Sequence, residues 1–485
     1  MRNNRPRVGK YILDSLSTGM YNHPLMLIRE YIQNSTDAID SILRTDNFNK
    51  KRSKIEIKID PNSDSLTISD NGTGIKSEKA WSTLHDIGKS EKSITHNRGF
   101  RGIGRLGGLG YCQILRFITK AIGEKKYTVS TWNCEKLRKL IKENNDFDTA
   151  DIIKTISDFK QFDYLKNYGD HFFTVEMLNL QSSRDILLNV PAIRSYISQV
   201  APVPFNREYF SYANRIDEEL KSKVPNYETY RIYINGEQIF KPYNDKIILR
   251  GKVKDKINEI DFTLLNNEKF TLAFGWLARL NLLGSVSSSS LVDGIRIRHG
   301  NILIGDENLL SEFFREKRFN NYLVGELHIT DDRIIPNSRR DDFEDNEQRE
   351  MFYEHFIKEI GIPFSKKIRR LSQERSKQNR ENKDNNLLER ANLVIEKGFL
   401  SFSQKEFMIR NLEKLKERNI IDNKKFINLL INSMEKTEHY LDREKKDLSI
   451  DKKELFKSIF EIIYRRSFNK KNAEEIIQEI LGYIA

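Results

Sequence analysis

Cysteine is scarce in this chain, with only Cys112 and Cys134 among 485 residues. So small a number excludes a disulfide-stabilised scaffold and a zinc site with four cysteine ligands. Long apolar runs are lacking too, since none approaches the ~18–20 residues that a membrane-spanning helix needs. The first seven residues are basic, but no apolar segment follows them, so a secretory signal is not expected. We therefore expect a reduced, cytoplasmic location and no membrane partner.

Familiar phosphate-binding motifs are also missing. No Gly-x-x-x-x-Gly-Lys-Ser/Thr sequence of the P-loop type occurs. Residues 102–107 match the glycine fingerprint of dinucleotide-binding proteins, but the polar stretch 93–98 precedes them where that motif requires an apolar strand. The sequence therefore argues against a nicotinamide-dependent enzyme and against a P-loop nucleotidase.

The chain is basic, with 82 Lys and Arg against 70 Asp and Glu. Residues 346–485 contain 30 basic and 24 acidic residues, which is half of the net charge of +12. Because charges of both signs are interspersed, a solvated surface is the simpler explanation of this excess. A nucleic-acid partner is the alternative.

Sequence pattern divides the chain into three regions. Residues 1–185 mix helix and strand signals and contain most of the glycine clusters. Residues 186–345 are mixed again and are punctuated by turns. Residues 346–485 have few glycines and predict helices, with a polar break at about 375–386. The expected fold class is α+β, with two mixed domains followed by an α-helical C-terminal region.

Residues 25–43 show helical periodicity with two opposed faces. Isoleucines form an apolar stripe, and Glu30, Asn34 and Asp37 form a polar stripe on the other side. A solvated helix face is one interpretation, although Asn and Asp are poor helix-interior residues. The other is a site in which a carboxylate polarises water and an amide one turn later binds a metal.

A predicted β-hairpin ends in a glycine turn. Residues 54–60 alternate strictly between apolar and polar, residues 61–64 predict a turn, and residues 66–68 resume the alternation. The hairpin runs into Asp70-Asn71-Gly72-Thr73-Gly74. This is an ordinary composition for a turn. It would also let a carboxylate accept a hydrogen bond from an exocyclic amine while a flat base approaches the glycines.

Residues 88–110 are rich in glycine and in basic side chains. Six of the twelve residues from 99 to 110 are glycine, which is hard to explain as filler. Repeated backbone N–H groups beside positive charges form an anion cradle, for which phosphate is the obvious ligand. A flexible, solvated loop is the alternative. The basic residues are Lys89, Lys92, Arg98, Arg101 and Arg105.

The order and spacing of these motifs resemble those of the GHKL ATPases, the superfamily of gyrase B, HtpG-type heat-shock chaperones, histidine kinases and MutL. The heat-shock chaperone and MORC branches are the most similar, because Ser90-Glu91-Lys92 resembles the Ser-x-Lys that precedes their glycine loop. The three motifs are Glu30-x-x-x-Asn34-x-x-Asp37-Ala38, Asp70-x-Gly72-x-Gly74 and Gly99-x-x-Gly102-x-Gly104.

The resemblance implies a fold for each region. Residues 1–185 would form a Bergerat-type α/β sandwich that binds the nucleotide. Residues 186–345 would form a transducer-like α/β middle domain. Residues 346–485 match no named family and would form a helical region for dimerisation or partner binding.

The resemblance also implies roles at the phosphate end of a bound ATP. Glu30 corresponds to the general base that activates the attacking water, a role that needs a carboxylate. Asn34 corresponds to the Mg²⁺ ligand, and Asp37 to a residue that supports the site. Lys92, Gly99, Gly102 and Gly104 correspond to the phosphate-binding loop.

At the base end, Asp70 corresponds to the carboxylate that reads adenine, with Gly72 and Gly74 beside the base. The family also has a strand threonine that helps to bind adenine through water. Thr174 is the best match, although Phe173 stands where the family has glycine.

The middle region contains a second candidate catalytic residue. Asn337-Ser338-Arg339-Arg340-Asp341 resembles the loop by which the heat-shock chaperone sends an arginine to the γ-phosphate. Aligned without gaps, Arg340 takes that position, and a permanently charged guanidinium suits developing phosphate charge. The alternative is a surface network in which Arg339 and Arg340 pair with Asp341 and Asp342.

Together these resemblances imply a Mg²⁺-dependent ATPase that works as an ATP-gated clamp, expected as a homodimer, on a protein client or a nucleic acid. Such a clamp would also suit a prokaryotic phage-defence system. The alternatives are a nucleotide-binding interaction module with little hydrolysis and a MORC- or MutL-like clamp on DNA. A histidine kinase is not expected, because no helix with a phosphoacceptor histidine precedes the ATP motifs.

Overall fold

The computed structural model describes residues 8–15, 23–45, 53–88, 104–143, 147–164, 171–267, 269–399, 402–418 and 424–437, together with Ile459 and Ile463. The chain divides into two compact units, residues 1–372 and 373–485. The finer division at residues 185 and 345 stays a prediction. None of the described helices is long and apolar enough to cross a membrane.

Helices and strands are interspersed through most of the described chain. The helices are α1 (Tyr11–Asp14), α2 (Met26–Thr45), α3 (Ser77–His85), α4 (Cys134–Lys142), α5 (Thr149–Ile156), α6 (Arg184–Leu187), α7 (Val190–Val200), α8 (Ala213–Lys223), α9 (Glu347–Phe356), α10 (Ile362–Lys397), α11 (Phe402–Arg418) and α12 (Lys424–Lys436). The strands are β1 (Ile55–Asp60), β2 (Ser65–Asp70), β3 (Cys112–Lys120), β4 (Lys126–Asn133), β5 (Ser157–Asp163), β6 (Phe172–Leu180), β7 (Ile232–Ile234), β8 (Glu237–Gln238), β9 (Lys246–Ile248), β10 (Lys254–Lys256), β11 (Glu259–Asn266), β12 (Thr271–Arg279), β13 (Gly294–His299), β14 (Ile302–Ile304) and β15 (Val324–Ile329).

The first sheet has eight strands in the order β5-β4-β3-β6-β2-β1-β7-β8. The predicted hairpin is confirmed, with β1 and β2 antiparallel and Ile55 opposite Asp70. Alternate side chains of these strands share one core with α2, in which Ile57, Ile68 and Ile32 are buried. The sheet takes β7 and β8 from well beyond residue 185, and β7 runs parallel to β1.

A second sheet has the order β11-β12-β15-β13-β14. Its hairpin between β13 and β14 turns at Gly300 and Asn301, which both have positive φ, as the tight turn requires. Trp276 and Phe274 lie in a core that continues to Phe352 and Phe356 of α9. The predicted α+β fold class is thereby confirmed.

The predicted polar break at 375–386 is wrong, because α10 runs without interruption from Ile362 to Lys397. The segment lacks glycine and proline, and its Lys, Arg, Glu and Gln residues are good helix formers. The polar composition of this segment therefore reflects an exposed helix and not a loop. Farther along the chain, α11 and α12 bury a small apolar core that includes Leu412 and Ile431.

A fully buried charge cluster lies at the second sheet. Glu326 on β15 accepts from Lys241 (Nζ–Oε2, 2.6 Å) and from Arg298 on β13 (Nε–Oε1, 2.6 Å). His328 lies 3.3 Å from the same carboxylate, and Tyr243 donates to it at 3.1 Å. The two cations hold the pKa of Glu326 well below its usual range, against the effect of burial. Burial lowers the pKa of His328 to about 4 and that of Lys241 to about 8.

We expect His328 to make the free energy of unfolding about 2 kcal/mol smaller at pH 5 than at pH 7. The unfolded chain binds a proton on this histidine below pH ~6.5, whereas the folded protein binds it only near pH 4. Stability therefore falls as pH falls through this window. Denaturant unfolding at both pH values checks this, and His328→Gln should flatten the dependence. His355→Gln, at a histidine in the first unit's helix α9, should leave it unchanged. An equally steep dependence in His328→Gln would contradict the assignment.

Candidate active site

The polar stripe of helix α2 is largely shielded from bulk solvent. Glu30, Asn34 and Ala38 are half-buried, while the residues around them on the helix are buried. Asp37 is only 2% exposed. A solvated face is thus ruled out for this stripe. The four-residue spacing of Glu30, Asn34 and Ala38 makes them a single column along the helix.

The Glu30 carboxylate lies between two guanidinium groups. Nε of Arg340 lies 3.6 Å from Oε1 of Glu30, and Nε of Arg29 lies 4.0 Å from the same oxygen. The Glu30 side chain is 18% exposed and that of Arg340 is 10% exposed. Since both ends of the pair are shielded, its attraction is screened less by water and salt than that of a surface pair. The structure thus brings together the two residues that the sequence suggested as catalytic, although they are far apart in the chain.

Arg340 stands on a tightly held loop after β15. Its φ is +57°, a left-handed conformation that is uncommon for a residue with a Cβ atom. Its backbone N–H donates to Asn337 and its carbonyl accepts from Gly305 at 2.8 Å. The neighbouring Asp342 accepts from Arg349. Asp342 therefore pairs with Arg349, whereas the Arg340 guanidinium faces Glu30.

Arg29 is a site residue that sequence reasoning missed. It is 5% exposed, and its Nη2 donates to the carbonyl of Arg339 at 3.0 Å. One guanidinium therefore contacts the Arg340 loop and flanks Glu30. The only available signal was a basic residue directly before Glu30, on a position that helical periodicity places between the two stripes.

The C-terminal end of the glycine-rich loop packs on α2. Residues 104–110 form a 3₁₀ helix. Tyr31 donates to the carbonyl of Arg105 at 3.0 Å and accepts from the N–H of Gly108 at 3.0 Å. A Cβ atom at Gly104 would lie 2.7 Å from Oε2 of Glu30. A side chain at residue 104 would thus require the Glu30 carboxylate to shift.

Backbone carbonyl groups engage Arg105, a residue that the sequence placed in the anion cradle. Its guanidinium donates to the backbone carbonyls of Leu84 and Asp86, and burial lowers its pKa to about 10. It therefore ties the glycine loop to the end of α3. Lys89, Lys92, Arg98, Gly99, Arg101 and Gly102 lie outside the described residues, and their proposed phosphate contacts stay predictions.

A hydrogen bond and close backbone packing fix the turn after β2. Oδ1 of Asp70, which is 4% exposed, accepts from the N–H of Gly72 at 2.9 Å. A Cβ atom at Gly72 would lie 2.6 Å from that of Ala38. Gly74 has φ of +63°, and a Cβ atom there would lie 2.0 Å from the carbonyl oxygen of Lys120. Both glycines are required by close approach.

Two further residues hold this turn, and the sequence did not reveal them. Thr119 on β3 accepts from the N–H of Ile75 at 2.9 Å and donates to the carbonyl of Phe172 at 3.1 Å. His171 contacts the carbonyl of Gly72 through Nδ1. Neither residue is part of a recognisable motif, since both act on backbone groups far away in the chain.

Thr174 is placed differently from expectation. It lies opposite Ser69 on β2, with the two hydroxyl oxygens 2.8 Å apart, whereas Phe173 lies opposite Asp70. Because neighbouring residues of a strand point to opposite faces, Thr174 and Asp70 lie on different faces of the sheet. The structure does not bring them together, and a role for Thr174 at the base stays a prediction.

The donor set suits a nucleotide with its magnesium better than a metal held by protein alone. Among the described residues, no three or more His, Cys, Asp or Glu side chains converge as a metal site. The half-buried amide of Asn34 offers one oxygen, one helical turn from Glu30. Mg²⁺ that is bound through one side chain and substrate phosphates is a common arrangement. The residues therefore fit the group that the resemblance implies.

Comparison with known proteins agrees with this geometry. Residues 23–164 match the family model of the histidine kinase-, DNA gyrase B- and HSP90-like ATPases. Chaperone protein HtpG of Bacillus subtilis is 27% identical over 194 residues, covering 33% of this chain and 30% of the relative. HtpG of Clostridium botulinum strain Hall is 25% identical over 255 residues, covering 49% and 40%. HtpG of Alkaliphilus metalliredigens is 31% identical over 179 residues, covering 33% and 29%.

The α/β sheet, the Glu30 helix and the glycine turn after β2, taken with the family match, define a GHKL-type ATPase domain. Within that superfamily, the chain is similar to HSP90-like chaperones over the matched residues. It covers roughly a third of the length of the curated relatives that it matches.

Proposed function

We propose that this protein binds ATP with Mg²⁺ and hydrolyses it to ADP and phosphate. The observation that carries this proposal is the convergence of Glu30, Arg340 and Gly104. A carboxylate, a guanidinium and a close backbone are the groups needed where a water attacks a terminal phosphate. The glycine turn beside Asp70 supplies a separate end at which a base is recognised.

Each residue has a defined task in this proposal. Asp70 accepts a hydrogen bond from the exocyclic amine of adenine, and Gly72 and Gly74 leave room for the base. Glu30 takes the proton of the attacking water. Arg340 moves from Glu30 to the terminal phosphate and stabilises the charge that develops there. Mg²⁺, held by Asn34 and the phosphates, would neutralise phosphate charge.

Coupling of the site to Arg340 supports an ATP-gated conformational switch. Arg340 follows the second sheet, so a phosphate that draws it away from Glu30 also moves the loop that carries it. We propose a dimeric, chaperone-like clamp on this basis and on similarity to HtpG. The partner is a protein client or a nucleic acid. Sedimentation of Glu30→Gln with and without ATP tests the dimer, since trapped nucleotide should shift it toward the larger species.

A nucleotide-binding switch with slow hydrolysis is the second candidate. It is favoured by one contact, the engagement of the Glu30 carboxylate by Arg340 at 3.6 Å. Measurement of Mg²⁺-dependent phosphate release from ATP, together with the affinity for ATP, separates the two candidates. Sustained turnover supports the enzyme, binding without turnover supports the switch, and absence of binding refutes both.

We expect Asp70→Asn to weaken ATP binding by roughly 10- to 100-fold, because a buried hydrogen bond to a charged group contributes about 1.5–3 kcal/mol. Isothermal titration calorimetry measures the effect. Asp60→Asn is the matched control, since Asp60 ends the other strand of the same hairpin and is exposed. Equal affinities of Asp70→Asn and the wild type would refute the assignment of the base end.

A further inference from the structure

One row of side chains crosses the first sheet at the level of Asp70. Phe173 on β6 lies directly opposite Asp70, and Thr119 on β3 lies directly opposite Phe173. On the other side, Ile55 on β1 lies opposite Asp70. Directly opposite residues of antiparallel strands project to the same face, with Cβ atoms about 4.5–5.5 Å apart. Asp70 is therefore flanked on both sides by an apolar residue.

Phe173 differs from its neighbours in being only half-buried. Its ring packs on that of Phe117, with centroids 6.1 Å apart and an interplanar angle of 28°. Phe117 is completely buried and belongs to the core. The Phe173 ring thus rests on the core, and the residue, which projects to the face that carries Asp70, is not fully covered.

We propose that Phe173 is a specificity-determining residue of the nucleotide site, with its ring forming the apolar wall beside a purine that donates an amine hydrogen bond to Asp70. This inference rests on the proposed ATP-binding function and adds a residue to it. Asp70 selects for an amine, as a carboxylate repels a carbonyl oxygen at the same position. Phe173 selects for a flat aromatic ring, since contact between aromatic faces or edges adds to simple burial.

The test compares the binding of adenosine, which has only the base end, with the binding of ATP. Binding of ATP and of adenosine is measured by calorimetry for the wild type, Phe173→Leu and Phe173→Tyr. We expect Phe173→Leu to weaken both ligands by the same factor, about tenfold, and Phe173→Tyr to stay within about threefold of the wild type. Phe162→Leu is the control, because Phe162 lies on the edge strand β5 of the same sheet.

Unchanged ATP affinity in Phe173→Leu would overturn the inference. So would weaker binding of ATP with unchanged binding of adenosine, because the effect would then lie at the phosphate end. If Phe173→Leu does not fold, Phe173→Met takes its place as the closer match in volume. The proposed function fails separately, namely if the wild type binds no ATP or if Asp70→Asn binds it normally.

Discussion

Glu30→Gln is expected to reduce ATP hydrolysis by about 10²- to 10⁴-fold while ATP stays bound. Glutamine conserves the shape of the side chain but cannot accept a proton from water. Binding should survive, because the base end at Asp70 and the glycine turn are untouched. Phosphate release measured beside the calorimetric affinity for ATP separates the two effects.

A matched carboxylate makes this experiment specific. Glu176 lies on β6 in the same sheet and pairs with Arg116 at 3.0 Å, with 23% of its side chain exposed. Its strand partner is Thr67, on the face opposite to that of Asp70. Glu176→Gln should therefore hydrolyse ATP at the wild-type rate. Equal turnover of wild type and Glu30→Gln would show that another group accepts the proton.

The elements around Glu30 and Asp70 could be predicted because their signals are local. Helical periodicity predicted residues 25–43 as helical, and α2 runs from Met26 to Thr45. Strict alternation predicted the hairpin, in which Asp70 ends β2. Both patterns arise from one apolar side packed against a core, a requirement that is visible in a few consecutive residues.

The tertiary contacts of the site could not be predicted in this way. Arg29 reaches the carbonyl of Arg339 across 310 positions, and that carbonyl carries no side-chain signal. Strand register put Phe173, and not Thr174, opposite Asp70. A shift of one residue would exchange the faces of these two side chains, and periodicity within β6 alone does not define its register against β2.

Basic residues in a glycine-rich loop illustrate the same limit. Arg105 was counted with the phosphate-binding charges, yet its guanidinium satisfies two carbonyl groups at the end of α3. The five N–H donors of an arginine suit backbone carbonyls as well as phosphates. Composition therefore indicates an anion site only for the loop as a whole, and the structure decides which cations line it.

Arg340→Ala is expected to lower the turnover of ATP by about 10²-fold, the usual cost of removing one group that stabilises transition-state charge. Arg339→Ala is the matched control. Arg339 is exposed and contributes its backbone carbonyl to the contact with Arg29, whereas Arg340 is buried and faces Glu30. Loss of the Arg339 side chain should thus leave turnover within about twofold of the wild type, since the carbonyl remains.

Combining the two catalytic substitutions tests whether Glu30 and Arg340 act on the same step. Residues that act as a unit give effects that do not add, so the double variant should be no slower than Glu30→Gln alone. Additive losses would show that Arg340 acts independently of proton transfer at Glu30. If Arg340→Ala turned over ATP at the wild-type rate, the 3.6 Å pair would be structural, and thermal unfolding should then show a lower midpoint for Arg340→Ala than for Arg339→Ala.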